Sequence, residues 1–466
     1  MAYGENSAIN KAWEYIIDKF DIEYRVLKGE AVPLSANDLN DTKKVIKDVK
    51  GSIDARLMAK FDSSSILPAS FKKLNLDIVP TSRGKYLVSD FLMYEKVPNL
   101  EDIDEIKEMN IQYLETLNIK NITSENSAIL ATSVSGILED FLKTDKNIYT
   151  INSRMGSGDF SFKINRLKNS PIIVNVSKCQ IEIDGGFENS NSIVLIEAKS
   201  VLNEDFNVRQ LYYPLRTWAN KVKKPIRNIF MIYVNKVFYL FEYTFDDLED
   251  FSSIRLINSK AYILNQTRLS LNSLLKIHKT TNPTINDKEE SSKIPFPQAD
   301  SFYRIISLME NMYENPMNAK EIAELMNFGH NINKEGKAVY RQSAYYTAAG
   351  QYIGVFEKEK GKVRLSEIGK KIIEMNFEDR IIEFSKLLFS HQIFSETFEY
   401  IKTHIGIKTY CISKDKQWDK IREEVRDFVI NRMDELEILK GEPMKRRRSQ
   451  TVLSWLKWLT KQINFD

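Results

Sequence analysis

Apolar and polar residues alternate along residues 180–184, where the sequence is QIEID, and this period of two predicts a β-strand. Gly185, Gly186 and the polar segment 189–192 supply turn residues after it, so a hairpin is expected. The segment IVLI at residues 193–196 is apolar at every position, which is typical of a strand covered on both faces. The hairpin therefore belongs to a buried sheet.

Charged residues follow directly on this apolar run, in the sequence EAK. The period of two places Glu197 and Lys199 on one face of the strand and Ala198 on the other. Pairing across the turn brings Asp184 close to Glu197. Because two neighbouring carboxylates at a half-buried position repel each other, a divalent cation would remove a large energetic penalty. The hairpin thus predicts a metal site.

The pattern upstream of residue 279 predicts a mixed α/β chain. The helical pattern occurs at residues 7–20, 41–58, 127–142 and 205–222. The strand pattern occurs at residues 76–79, 86–93, 148–152, 161–164, 172–183, 193–199, 229–234 and 237–243. From residue 127 onwards we interpret the core of this pattern as the order α-β-β-β-α-β, with the hairpin at its centre.

Residues 279–298 carry three prolines and no periodicity, which predicts an exposed linker between independently packed units. Apolar spacing beyond it predicts helices at residues 302–309, after the capping-box sequence NAKE at 318–321, and at 336–352. Two short strands around a Lys/Gly-rich turn and a further helix complete an arrangement that resembles a winged helix. In that fold the third helix enters the major groove of DNA.

The winged-helix resemblance implies four candidates for contacts to bases or phosphates, Arg341, Gln342, Ser343 and Tyr345. A winged helix that docks protein is the alternative. The predicted organisation is an α/β region that could contact DNA (1–115), an α/β core (116–278), the linker (279–298) and a mostly helical domain (299–466).

Composition narrows the class of protein only slightly. The chain of 466 residues is 42% hydrophobic and 28% charged, with a net charge of +3, which is ordinary for a soluble globular protein of about three domains. The two cysteines, Cys179 and Cys411, lie far apart and predict no disulfide or metal site. The first residues lack a signal-peptide pattern and no apolar run is long enough to span a membrane, so a cytoplasmic protein without a membrane partner is expected.

Asp184 followed by Glu197-Ala198-Lys199 resembles the catalytic signature of the PD-(D/E)xK nuclease superfamily, although Ile183 stands where the signature has proline. The predicted αβββαβ order is similar to the core of that superfamily. The resemblance implies Mg²⁺, with Mn²⁺ as a substitute, held by Asp184, Glu197 and the carbonyl of Ala198. It also implies hydrolysis to 5′-phosphate and 3′-hydroxyl ends.

Three further catalytic roles follow from the same resemblance. Lys199 would orient or deprotonate the attacking water. Gln210, on the helix after the strand, would face phosphate, water or a metal ligand, with capping or packing as the alternative. Glu139, on the preceding helix, matches the extra acidic residue that several of these families place near the metals.

The remaining basic residues suggest contacts to DNA. Arg446, Arg447 and Arg448 precede an amphipathic helix and suit phosphate contacts, although a solvated charge run is the alternative. Arg83 and Lys85 in the loop TSRGKY could also meet phosphate or simply lie on the surface. Together these segments resemble Type II restriction endonucleases that join a PD-(D/E)xK domain to a winged helix.

The family resemblance implies a Mg²⁺-dependent, sequence-specific endonuclease that acts in restriction-modification. Its partners would be double-stranded DNA, a DNA methyltransferase encoded as the genetic partner, and a second copy of the chain in a homodimer. Two other functions remain open at this point. One is a structure-directed or repair nuclease, and the other is a non-catalytic regulator that binds DNA through its winged helix.

Overall fold

A computed structural model of the protein describes residues 7–46, 53–103, 106–119, 122–285, 287, 294–313, 315–329, 331–332 and 338–465. The predicted class is confirmed at the level of a mixed α/β protein. Within the described ranges, no helix combines the length and the apolar character that a membrane span requires.

The N-terminal region packs helices against a sheet, around a core that contains the fully buried Trp13. Its elements are α1 (Ala8–Lys19), α2 (Ile22–Leu27), β1 (Val32–Ser35), α3 (Ala36–Val45), α4 (Ala55–Met58), α5 (Ala69–Leu74), β2 (Asp77–Ser82), β3 (Lys85–Ser89), β4 (Tyr94–Lys96) and β5 (Ile106–Met109). The single helix expected over 41–58 is wrong, because α3 ends at Val45 and the extended Asp54 caps a separate helix, α4.

The central region contains the hairpin and the largest sheet of the described chain. Its elements are α6 (Glu125–Val134), α7 (Ile137–Leu142), β6 (Ile148–Gly156), β7 (Asp159–Ile164), β8 (Ile172–Ser177), β9 (Gln180–Glu188), β10 (Ile193–Lys199), β11 (Asp205–Asn207), α8 (Arg209–Ala219), β12 (Ile226–Val234), β13 (Val237–Phe245), β14 (Ile254–Leu264), β15 (Leu269–Ser270) and α9 (Leu271–Thr280). Seven strands pair in the order β5-β14-β13-β12-β10-β9-β6, and β10 runs parallel to β12.

Three of the expected elements differ from the observed ones. Two are interrupted by a residue with positive φ, and the third begins later than expected. The helix expected over 127–142 is two helices, because Gly136 adopts a left-handed conformation with φ of 80°. The strand expected over 172–183 is interrupted at Lys178, which has φ of 52°. The helix expected from residue 205 begins at Arg209, since Asp205–Asn207 forms β11 and pairs with β4.

Strands β7 and β8 belong to the sheet of the N-terminal region and not to the seven-stranded sheet. They extend a five-stranded sheet of order β1-β3-β2-β8-β7, in which Ser82 of β2 is the registered partner of Ser177 of β8. Ser82 is the last residue of β2, and the next strand of the chain after β8 is β9, which carries Asp184. The N-terminal sheet is thereby joined to the hairpin that carries the predicted site.

The C-terminal region is mostly helical. Its elements are α10 (Phe302–Met312), α11 (Ala319–Leu325), β16 (Asn331–Ile332), β17 (Ala338–Val339), α12 (Arg341–Tyr352), β18 (Phe356–Glu359), β19 (Lys362–Leu365), α13 (Glu367–Glu374), α14 (Phe377–Phe389), α15 (Gln392–Tyr400), α16 (Ile407–Ile412), α17 (Asp415–Glu435), α18 (Glu442–Lys461) and β20 (Ile463–Asn464). The predicted capping box is confirmed by reciprocal hydrogen bonds between Asn318 and Glu321. The third helix begins at Arg341 and not at 336, and residues 333–337 lie outside the described ranges.

The C-terminal helices cover one face of the central sheet. Phe230, Ile232 and Tyr239 of β12 and β13 belong to the same buried cluster as Phe302 and Trp458 of the helices. Helices α6 and α7 cover the opposite face, against residues such as Ile229 and Met231. The central and C-terminal regions therefore share one hydrophobic core.

The segment expected to be an exposed linker packs against the C-terminal region where it is described. Phe296 is buried, and the buried Asp287 lies 2.6 Å from the Nδ1 atom of His391. The Tyr352 hydroxyl also donates to Asp287. The expectation of two independently packed units is consequently wrong.

Candidate active site

Strands β9 and β10 form the predicted hairpin in an antiparallel register that pairs Ile196 with Gly185. Extending this register by one residue places Asp184 opposite Glu197, as expected. Gly185 and Gly186 belong to the strand and not to the turn, which residues 189–192 form through the Asn189 N–H bond to the Ser192 carbonyl.

The two glycines allow close packing around the site. An added Cβ at Gly185 would lie 2.9 Å from Cγ2 of Ile129 on α6, and one at Gly186 would lie 2.6 Å from Cβ of Ile151 on β6. Both distances are shorter than van der Waals contact. The absent side chains therefore let α6 approach the hairpin, and the first residue of α6 is Glu125.

Glu197, Lys199 and Gln210 form one hydrogen-bonded group. Lys199 Nζ lies 2.5 Å from Glu197 Oε1, and Gln210 Nε2 donates to the same carboxylate oxygen. The Glu197 side chain is 10% exposed and the Lys199 side chain 17% exposed. The backbone N–H of Ala198 donates to Asp184 Oδ2 over 3.0 Å, which orients the second carboxylate.

Burial and mutual charge shift the pKa values of this group. Burial raises the pKa of Glu197 to about 7, with Lys199 opposing the shift and Asp184 adding to it. Burial lowers the pKa of Lys199, but the charges of Glu197 and Asp62 outweigh it and hold that pKa above its ordinary value. The lysine is therefore an ammonium group, and the carboxylate needs a positive partner to stay ionised.

The donor set at this position fits a divalent cation of the Mg²⁺ type. Asp184, Glu197 and the Ala198 carbonyl offer hard oxygen ligands, and Gln210 Oε1 is buried without a hydrogen-bond partner in the described part of the chain. Nowhere in the described residues do three or more His, Cys, Asp or Glu side chains form a metal-holding group. Mg²⁺ commonly uses one or two carboxylates and keeps several waters, so a site with two carboxylates suits it.

Glu139 does not belong to this group. Its Oε1 atom accepts hydrogen bonds from the backbone N–H of Asn147, at 2.7 Å, and from the Asn147 side chain. Glu125 takes the acidic position beside the site, because its Oε1 accepts from the Ser200 N–H over 3.0 Å and its charge acts on Lys199. Glu125, and not Glu139, is thus the additional carboxylate that lies beside the site.

The site opens into a cleft of about 720 Å³ whose walls come from all three regions. The central region contributes the four predicted residues Asp184, Glu197, Lys199 and Gln210, together with Glu125. The N-terminal region contributes Arg56, Lys60, Asp62 and Arg83, and the C-terminal region contributes Leu325 and Asn327. Lys85 is exposed beyond the hairpin turn and does not line the cleft.

Asp62 is the acidic residue of the N-terminal wall. Its backbone carbonyl accepts from the Asn207 N–H over 3.0 Å, which ties it to the segment just before α8. Its Oδ1 atom is buried and has no hydrogen-bond partner among the described residues. In the N-terminal region, the sequence suggested a functional role only for Arg83 and Lys85, and not for Asp62.

The start of α12 presents two of its four candidate residues. Arg341 and Gln342 are exposed and Tyr345 is partly exposed, whereas Ser343 is fully buried. A contact from Ser343 to DNA is therefore excluded by packing. Gln342 lines a cavity of about 210 Å³ together with Asn327, which also lines the cleft.

The basic run at the start of α18 is engaged within the C-terminal region. Arg446 lies 3.1 Å from Glu423, Arg447 lies 2.9 Å from Asp300, and Arg448 donates to the Phe296 carbonyl. These contacts hold α18 against α17 and the segment before α10. The arginines thus have a structural role that the sequence did not indicate.

Both cysteines are buried, and the three described histidines contact neighbouring side chains or backbone. Burial raises the pKa of the Cys179 thiol to about 11, which keeps it protonated. His278 Nε2 donates to the Ser395 carbonyl, His391 pairs with Asp287, and His404 stacks on Tyr400. His330 lies outside the described residues.

Three family models, each described only as a domain of unknown function, match successive parts of the chain. They are DUF6996 over residues 10–88, DUF6997 over residues 89–263 and DUF7226 over residues 304–464. No curated protein and no solved structure matches the chain. The first two models meet between residues 88 and 89, whereas the predicted boundary is at 115, and the gap before residue 304 includes the segment 279–298.

Proposed function

We propose that this protein is a Mg²⁺-dependent endonuclease that cuts double-stranded DNA at specific sequences, in the manner of a Type II restriction enzyme. The observation that carries the proposal is the hydrogen-bonded group of Glu197, Lys199 and Gln210 beside Asp184, at the floor of a cleft. The strand order around it, with β10 parallel to β12 and antiparallel to β9, agrees with the αβββαβ core that the family resemblance implies.

Each residue of the group has a chemical task in phosphodiester hydrolysis. Asp184, Glu197 and the Ala198 carbonyl would hold Mg²⁺, which supplies Lewis-acid polarisation and a more acidic water when bound. Lys199 would orient the attacking water and stabilise the charge that develops on the phosphate. Gln210 fixes the Glu197 carboxylate through its amide N–H.

The C-terminal region would supply sequence recognition. The order α10, α11, α12 and the hairpin β18–β19 agrees with a winged helix, and Met317 bridges to Val363 as a third strand position beside that hairpin. Arg341 and Gln342 at the exposed start of α12 would then contact base edges. The C-terminal region stands next to the cleft, because Asn327 Nδ2 donates to Asn203 Oδ1 over 2.9 Å.

Digestion of unmethylated phage DNA by the purified protein with Mg²⁺ tests this function. Discrete fragments are expected from the wild-type protein, and Asp184→Ala, Glu197→Ala and Lys199→Ala should each reduce cutting by about 100-fold or more. Glu188→Gln is the matched control, because Glu188 lies on the same strand as Asp184 but pairs with Lys224 outside the cleft.

Other outcomes would replace the proposal. A smear of fragments would indicate a nuclease without sequence preference, such as a repair enzyme. Binding without any cutting would indicate a regulator. Full activity in Lys199→Ala would remove the mechanism proposed for that residue.

A further inference from the structure

Three arginines line the cleft without an ion pair to any residue that the structure describes. Arg56 and Arg83 come from the N-terminal region and Arg209 from the start of α8, and all three line the cleft. Among the described residues, none of their guanidinium groups has an ion pair or a side-chain hydrogen bond. The guanidinium of Arg209 lies 5.9 Å from the centre of the Tyr213 ring.

Several arginines elsewhere on the surface of the described chain are paired. Arg25 lies 2.8 Å from Glu30, Arg255 lies 2.8 Å from Asp246, and Arg447 lies 2.9 Å from Asp300. Carboxylates are present in the cleft as well, yet Glu197 is bonded to Lys199 and Glu125 to the Ser200 N–H. Glu182 is bonded to a fourth arginine of the cleft, Arg154, over 2.9 Å. Three guanidinium groups without a carboxylate partner in the described chain therefore lie where the proposed substrate would bind.

The position of Arg83 is fixed by its surroundings. Arg83 and Gly84 form the tight turn between β2 and β3, and Gly84 has φ of 73°. The Gly84 carbonyl accepts from the Ala36 N–H over 2.7 Å, and Ser82 registers with Ser177 of β8. The turn is thus attached both to its own region and to the sheet that leads to Asp184.

The position of Arg56 is also fixed. It lies on the short helix α4, whose first N–H, from Ala55, donates to Asn40 Oδ1 over 3.0 Å. The Met58 carbonyl at the other end accepts from the buried indole of Trp13. The backbone of α4 therefore cannot drift away from the cleft without breaking core contacts.

Hydrogen bonds hold the two walls of the cleft together. The N–H and side-chain amide of Asn207 donate to the carbonyls of Asp62 and Phe61, both over 3.0 Å. The hydroxyls of Ser63 and Ser64 donate to the Asp205 carboxylate. Arg209 follows this junction by two residues, so the three arginines belong to one connected frame.

We propose that the N-terminal region is a phosphate clamp, in which Arg56 and Arg83 hold the DNA backbone on the wall opposite Arg209. This inference rests on the proposed function and adds Arg56 to the phosphate contact that the sequence suggested for Arg83. Guanidinium groups bind phosphate oxygens in a bidentate manner and stay charged at any physiological pH, which suits contacts independent of base sequence. The clamp would fix the scissile phosphate over Asp184 and Glu197.

The salt dependence of DNA binding tests the clamp. Fluorescence anisotropy of a labelled duplex, with Ca²⁺ in place of Mg²⁺ to prevent cutting, gives the slope of log K against log salt concentration. Each lost phosphate contact should reduce that slope by about 0.9. Arg56→Ala and Arg83→Ala should each show this loss, and the double variant should show about 1.8.

Two kinds of variant control for charge and for folding. Arg25→Ala and Arg255→Ala remove arginines that are paired outside the cleft, and they should leave the slope unchanged. Arg83→Lys keeps a cation in the turn, so most of the slope should remain. Thermal melting of each variant establishes that the protein is folded.

The outcomes separate this inference from the proposed function. The clamp alone would be wrong if the wild-type protein binds duplex DNA and both Arg56→Ala and Arg83→Ala show the same salt dependence of binding as the wild type. The proposed function would then be unaffected. Wild-type protein without affinity for any duplex would overturn both. Tighter binding to a single strand or to RNA of the same length would overturn the assignment of duplex DNA as the clamped substrate.

Discussion

Asp77 is a carboxyl group buried in β2, the strand that leads to the turn with Arg83. It is 3% exposed and accepts a hydrogen bond from the Ile78 N–H over 2.8 Å. Burial raises its pKa from 3.8 to about 8, against the opposing effects of the Ile78 and Tyr94 hydrogen bonds. Asp77 is therefore protonated in the folded protein at neutral pH and ionised in the unfolded chain.

The raised pKa of Asp77 makes stability depend on pH. The folded state binds one more proton than the unfolded state between the two pKa values, so the stabilising contribution is complete below 3.8 and is lost as the pH rises to about 8. Asp77→Asn keeps a neutral group at this position. We expect the melting temperature of the variant to fall less over that window and to exceed that of the wild type at its upper end.

Melting curves recorded at several pH values check this expectation. Asp246→Asn is a suitable control, because Asp246 is exposed and its pKa is lowered by the hydrogen bond from Arg255. The melting temperature of that variant should fall with rising pH as much as that of the wild type. Identical pH profiles for Asp77→Asn and the wild type would show that another group is responsible.

At the residue scale, the sequence predicted the cluster of Asp184, Glu197 and Lys199 on the hairpin but not the neighbouring Glu125. The period of two placed Glu197 and Lys199 on one face, and the Lys199–Glu197 contact agrees with it. Glu125 was missed because an acidic residue in the first turn of a helix is expected from the helix dipole alone. Its role depends on the close approach of α6 that Gly185 permits, which no local pattern indicates.

At the scale of elements, the sequence predicted most strands but not their partners. Strands β7 and β8 have the same alternating pattern as the strands of the large sheet, yet they pair with the N-terminal sheet. Pairing between distant strands is not encoded in their own apolar pattern. The capping-box helix α11, whose signal is local, was predicted correctly.

Helix α12 provides a prediction about recognition. Arg341 is exposed at its first turn, so Arg341→Ala should weaken binding to the preferred DNA sequence by about 1–3 kcal/mol and affect random DNA much less. Ser343→Ala should leave DNA binding unchanged, because Ser343 is buried. Anisotropy titrations with preferred and random duplexes measure the difference.

Arg447→Ala is the matched control for the loss of one positive charge in the same region. Arg447 is held by Asp300, so its removal should lower the melting temperature slightly and leave sequence preference intact. Equal effects of Arg341→Ala on both duplexes would contradict base recognition by α12. If Arg447→Ala loses the preference for the specific duplex, α18 and not α12 would be the helix that recognises the sequence.

At the scale of the whole molecule, the apolar residues of β12 and β13 are typical of strands that are covered on both faces. They could not indicate that one face is covered by a helix more than sixty positions further along the chain. The apolar pattern of a buried strand does not depend on which segment packs against it. Tyr239 on β13 receives its cover from Tyr303 on α10, with the hydroxyl groups 3.2 Å apart. Pairing of β15 with β20 adds a second long-range connection.

The shared core predicts how the chain behaves when it is cut. Residues 1–281 expressed alone would expose the sheet face that contains Phe230, Ile232 and Tyr239, and an apolar patch of that kind promotes aggregation. Residues 282–466 alone would expose the matching side of α10 and α18. We expect each fragment to be poorly soluble, while the two expressed together should form a complex that survives purification.

Co-purification through a tag on one fragment, followed by thermal melting, measures this assembly. The complex should melt in one cooperative transition, because the fragments complete a single core. Phe302→Asp in the second fragment should prevent assembly, since Phe302 is fully buried and stacks on Trp458 at 4.0 Å. Lys416→Asp, at an exposed position of α17, is the control and should assemble normally. Two fragments that each fold alone and melt cooperatively would show that the regions are independent after all.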